Sequence, residues 1–125
     1  MKNSIFSLFL AIFLSAIVPA LAQESTRCTV SNTELQTMQS QIRSAESALN
    51  PENQANLAES IFREKSGCFT SLQIKAIVKS VVSPENQLAI AKLGYDHVAD
   101  PANYSVVGGA FRFPTEMEAF KEFLN

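Results

Sequence analysis

Apolar residues along most of this chain recur at spacings of three and four, the period of a helix with one buried face. Ser31, with Glu34 three residues on, is a capping-box pattern, and Leu35, Met38, Ile42, Ala45 and Leu49 continue from it as one stripe. Asn50-Pro51 stops that helix and starts a second, whose buried face is Leu57, Ala58, Ile61 and Phe62 and whose end is marked by Gly67. Thr70 and Gln73 make another box, ahead of Leu72, Ile74, Ile77, Val78, Val81 and Val82. The β-branched residues there would suit a strand, but the spacing of Ile74, Ile77, Val78 and Val81 against Lys75 and Lys79 selects a helix. Ser83-Pro84 opens a fourth helix with Leu88, Ala91, Tyr95 and Val98 on one face, widened by Ile90 and Leu93. So broad a stripe predicts a central helix with neighbours on more than one side.

Asp100-Pro101 reads as a capped start to a fifth helix lined by Tyr104, Val107, Ala110 and Phe111. Gly108-Gly109 weakens it, which implies either a closely approaching backbone or an early end. Phe111-Arg112-Phe113 is an extended connector, and Thr115 with Glu118 is a third box before Met117, Phe120, Phe123 and Leu124. The motif Pro51-Glu52-Asn53-Gln54 returns as Pro84-Glu85-Asn86-Gln87, 33 positions later, with Ala58 matching Ala91 and Phe62 matching Tyr95. A repeat of that length predicts stacked helical hairpins, although the signature of tetratricopeptide arrays is missing. The expected fold is all-α: about six short helices as three stacked hairpins in one domain over 31–125.

Ahead of that domain the pattern changes. Lys2 precedes an apolar run from Ile5 to Val18, broken only by Ser7 and Ser15, and Ala20-Leu21-Ala22 is a small-residue cleavage site. This is the layout of a secretory signal peptide over 1–22, cut after Ala22, with 23–30 as a flexible lead-in. The run is shorter than the ~20 residues a spanning helix needs, so no membrane span is expected in the mature chain. The product would be periplasmic or extracellular. Two cysteines, Cys28 and Cys68, then sit in an oxidising compartment, where a structural disulfide is expected over two buried free thiols. Closing a loop of about 40 residues stabilises by up to about 4 kcal/mol in the chain-entropy model.

Net charge is −2 with the signs interspersed, so nothing forms the basic footprint of a nucleic-acid binder. Chemistry is sparse. His97 is the single histidine, and no Cys or second His completes a metal set beside it. The polar segment from Tyr95 through His97, Asp100 and Tyr104 is the candidate binding site, against a plainer account in which Asp100 caps helix five, His97 sits at a helix end and both tyrosines pack. Phe111, Phe113, Phe120 and Phe123 are a candidate partner surface, against a role as core in a chain without tryptophan. No serine lies in a nucleophile context, so no catalytic residue and no cofactor is assigned.

One resemblance adds to this. Gly67-Cys68-Phe69-Thr70, Gln73, Ile77 and Val81, then Leu88, Ala91-Lys92-Leu93 and Tyr95, then Asp100-Pro101-x-Asn103-Tyr104 and Ala110-Phe111-x-Phe113 form a series. It resembles the domain of unknown function 4476 family of secreted proteins of Bacteroidetes-type bacteria, over Cys28 to Leu124. This chain has Pro-Glu-Asn-Gln where members commonly carry a charged helix start, and Pro114-Thr115 where they often have paired serines. The resemblance implies fold and export, and no activity. The functional expectation is therefore a non-enzymatic module that binds another envelope or secreted protein; a small-ligand binder or enzyme built on Tyr95–Tyr104 is the alternative.

Overall fold

The structure, a computed structural model, describes residues 28–125; the expected signal peptide and the start of the lead-in lie outside the described residues. Five α-helices and two 3-10 segments follow one another: α1 (Asn32–Ser44), α2 (Asn53–Glu64), α3 (Ser71–Lys79), α4 (Pro84–Gly94), η1 (Tyr95–His97), η2 (Pro101–Ala110) and α5 (Pro114–Leu124). They pair as three hairpins, α1–α2, α3–α4 and η2–α5. The first members α1, α3 and η2 pack side by side in one layer, and α2, α4 and α5 in the other. This is the expected all-α stack. Helix α4 touches α2, α3, α5 and η1, the central position its broad stripe implies.

Two capping boxes close as the sequence requires. The Ser31 hydroxyl accepts from the Glu34 amide at 3.1 Å while Glu34 accepts from the Ser31 amide at 3.0 Å. Thr70 and Gln73 repeat the exchange at 3.1 and 3.0 Å, and Ser83 caps α4 through the Asn86 amide. The third box is not formed: α5 begins at Pro114 directly after extended Phe113, which leaves Thr115 already inside the helix. Leu49, Leu72 and Val82 are exposed rather than on the buried stripes. Helix α1 stops at Ser44, so Leu49 lies in the following turn. Leu72 is on the outer side of α3, and Val82 lies in the turn before α4.

The fifth helix is a ten-residue 3-10 helix, longer than such helices usually run. Tyr104, Val107 and Ala110 are its buried residues. They are spaced by three, so three residues per turn stack them in a single line against α3.

The repeated Pro-Glu-Asn-Gln motif works through its glutamines. Gln54 and Gln87 are both buried, and each reaches back to a carbonyl of the preceding helix, Ile42 O at 3.0 Å and Val78 O at 3.1 Å. Each side chain thereby fastens its hairpin turn, adding a second donor to a carbonyl that also accepts from the Ala45 or Val81 amide. Asn86 then donates to Gln54 Oε1 at 2.8 Å, tying the first motif to the second. Gly94 marks a close approach: a Cβ there would stand 2.7 Å from the Tyr104 hydroxyl and 2.9 Å from Ile74 Cγ2.

Candidate functional site

The polar cluster proposed from sequence is brought together, but as a fastening. Gly67, held at a φ of +81° that an L side chain rarely adopts, donates its amide to His97 O at 2.8 Å. Ala99 donates to Phe69 O at 2.8 Å, so Phe69 and Val98 form a single parallel bridge. The His97 ring bonds through Nδ1 to the Ser66 hydroxyl at 2.7 Å. Asp100 does not cap its own helix. Its carboxylate accepts from the Ser71 amide at 2.7 Å and the Ser71 hydroxyl at 3.0 Å, at the start of α3, and from Asn103 at 3.3 Å. Burial acts against ionisation of Asp100, and these donors outweigh it, holding the carboxyl below its ordinary range.

Tyr104 is buried and donates its hydroxyl to Ala91 O, and burial together with the nearby Asp96 charge pushes its ionisation well above the usual phenol range. Of the four candidates Tyr95 is the most exposed, at 38%, and its ring packs edge-on against Tyr104. Among the described residues no three His, Cys, Asp or Glu side chains are grouped to hold a metal ion. Asp100 and Asn103, with Ser71, also line a shallow pocket of about 310 Å³, while His97 and Tyr104 bond to Ser66 and Ala91 O.

The four phenylalanines divide. Phe111 and Phe120 are core, 6% and 1% exposed, with ring centroids 5.3 Å apart. Phe113 and Phe123 are 50% and 41% exposed. Phe123 meets Tyr95 edge-on at 5.9 Å, and Lys92 Nζ lies 5.9 Å from the Phe123 centroid, within reach of a cation–π contact. On another face of α5, a groove of about 300 Å³ runs between η2 and α5, lined by Gly108, Gly109, Met117, Phe120, Lys121 and Leu124.

The opposite end of the stack differs. There a wider groove of about 940 Å³ between α1 and α2 is lined by Thr33, Gln36, Thr37, Ser40, Gln41 and Ser44, with Leu57 and Ile61 at its apolar side. Sequence reasoning missed the flanking residues Lys92, Lys121 and Leu124 as part of the exposed end. The signal was the spacing of Met117, Lys121 and Leu124, which share one face of α5.

Cys28 and Cys68 are joined, with Cα atoms 5.1 Å apart, and among the described residues no cysteine is free. Fold and site together define a small disulfide-linked domain of stacked helical hairpins. The family model described as "Domain of unknown function (DUF4476)" matches residues 29–124, and the chain belongs to that family. No curated protein and no solved structure matches it.

Proposed function

We propose that this chain is an exported, non-enzymatic interaction module that docks another envelope or secreted protein through the outer end of its last hairpin. The observation that carries this is the last hairpin itself, which combines exposed Phe113 and Phe123, the latter edge-on to Tyr95, with a mostly apolar groove between η2 and α5. Aromatic residues beside a lysine, set against a packed floor, are the composition of interface anchors. Export through a signal peptide cut after Ala22, to the periplasm or beyond the cell, is part of the same proposal. It is supported by the disulfide, and no helix among the described residues is long and apolar enough to cross a membrane.

The test places a photo-crosslinking amino acid at position 123 or, at the other end, at position 36, in cells making the full chain. The expected result is one reproducible protein adduct from position 123 and none from 36. Equal adducts from both ends, or none from either, would sink the proposal.

A further inference from the structure

We propose that the groove between η2 and α5 receives a single helix of the partner, apolar along one stripe and acidic beside it. This deepens the docking proposal and rests on it. The first observation concerns two glycines that the domain itself does not need. Neither Gly108 nor Gly109 has a positive φ. A Cβ on Gly108 would make ordinary contact with Phe120 at 3.6 Å, and one on Gly109 would press only the movable end of Lys75, at 3.1 Å. Alanine is the better helical residue in such positions. What two bare backbones do provide, on the floor of an open groove, is room for another helix to lie close.

The second observation is continuity. Hairpin three lies on hairpin two by laying η2 along α3 and α5 along α4, and its own outer face is the next place in that series. The natural occupant of such a place is a helix rather than an extended strand. A groove of about 300 Å³ is large enough to take the anchor side chains of one helix.

The third observation is charge. Lys121 borders the groove and Lys75 Nζ hangs over Gly109 from the α3 side. Lys121 has only the exposed Glu118 at 3.4 Å, and among the described residues no carboxylate is within salt-bridge distance of Lys75. Two ammonium groups beside an apolar floor fit carboxylates flanking an apolar stripe.

The probe is a fluorescein-labelled helical peptide of about five turns, with Leu and Phe at i, i+3, i+4 and i+7 and Glu on the flanks. Its counterpart carries Lys in place of Glu. Anisotropy with the full chain purified after export should show the Glu peptide binding about tenfold more tightly at low salt. Lys75→Glu combined with Lys121→Glu should reverse that order. Gly108→Ala should raise the melting temperature yet weaken the Glu peptide several-fold. Equal binding of the two peptides, no binding of either, or an unreversed order overturns the inference. So does light scattering that finds a dimer broken by Met117→Glu, because the occupant is then a second copy. If the peptides fail while position 123 still gives its single protein adduct, the docking proposal stands and this inference alone is lost; if both fail, both are lost.

Discussion

The seam between hairpins one and two and the seam between hairpins two and three join the same kind of layers with different chemistry. The first is polar and covalent. Cys28–Cys68 crosses it, Gln73 reaches Val30 O at 2.7 Å and Gln39 reaches Ala76 O at 3.0 Å. The second is aromatic and close: Tyr104 and Phe120 enter it with ring centroids 5.9 Å apart, and Gly94 lets the Tyr104 hydroxyl approach. Directional bonds cross both seams, since Ser71 donates to Asp100, Tyr104 to Ala91 O and Arg112 to Val81 O at the second; what separates them is the cross-link at the first and the aromatic burial at the second. The apolar character continues outward past the second seam to the exposed end, which is where a partner would add.

The comparison breaks most visibly at Phe120. Its ring is buried among Tyr104 and Phe111, so Phe120→Ala should cost about 3–5 kcal/mol by lost burial and the cavity left behind. Chemical denaturation measures it. A loss below that of a surface substitution would mean that the second seam is not held by its aromatics.

At the first seam the corresponding test is Cys28→Ser with Cys68→Ser. Loss of the cross-link should lower stability by about 2–4 kcal/mol. The loosening should be local as well: amide exchange should accelerate around Val30 and Ser31 while the amides of η2 and α5 keep their protection. Uniform acceleration across all three hairpins would show that the two seams do not act separately.

How much of this was legible in the sequence follows the same division. Helix faces, two capping boxes and the cysteine pair are local or countable features, and the first seam is made largely of them. The second seam depends on what meets across space. Asp100 in the sequence is a helix start, yet its carboxylate serves Ser71 on α3, because the Phe69–Val98 bridge brings the two segments together. Tyr104, Val107 and Ala110 fit either helical period at so short a length, and only packing on α3 selects three residues per turn. Phe111 and Phe113 would share one face of a straight extended connector, but the chain bends at Arg112 and Phe113, and only the first ring is buried. The glutamines were visible as a repeat, but their task required knowing which carbonyl lay behind them.

Those glutamines sharpen the comparison at a smaller scale. Gln54 uses both ends, donating to Ile42 O and accepting from Asn86. Gln87 donates to Val78 O, but its buried Oε1 has no partner in the structure. The third hairpin places Glu116 two residues after Pro114, as Asn86 follows Pro84, and an ionised carboxylate has no proton to donate. Gln54→Met should therefore cost about 2 kcal/mol, by stranding the Asn86 side-chain amide and losing the bond to Ile42 O. Gln87→Met loses the bonds to Val78 O and, at 3.5 Å, Ala110 O but removes an orphan, and should fall within about 1 kcal/mol of the parent. Equal losses in denaturant titration would contradict the difference between the seams.

The smallest expected effect is the acid response within the first hairpin. The Lys65 ammonium, with the Ser31 amide, holds the Glu34 carboxyl well below its ordinary 4.5, at about 2. A carboxyl that binds its proton less readily when folded stabilises the fold fully above the unfolded value. That contribution is lost as pH falls from about 4.5 toward 2. The pair is exposed at the surface, so the contribution is small and salt screens it. Melting curves of the parent and Glu34→Gln should differ slightly at pH 7 in low salt and converge as pH drops through that window. Asp100→Asn makes the matched comparison at the second seam, since Ser71 and Asn103 hold that carboxyl low without a cationic partner. Its acid dependence should run in the same direction but resist added salt better than that of Glu34. Equal salt sensitivity at the two positions would show that hydrogen bonding at Asp100 and ion pairing at Glu34 are not separate causes.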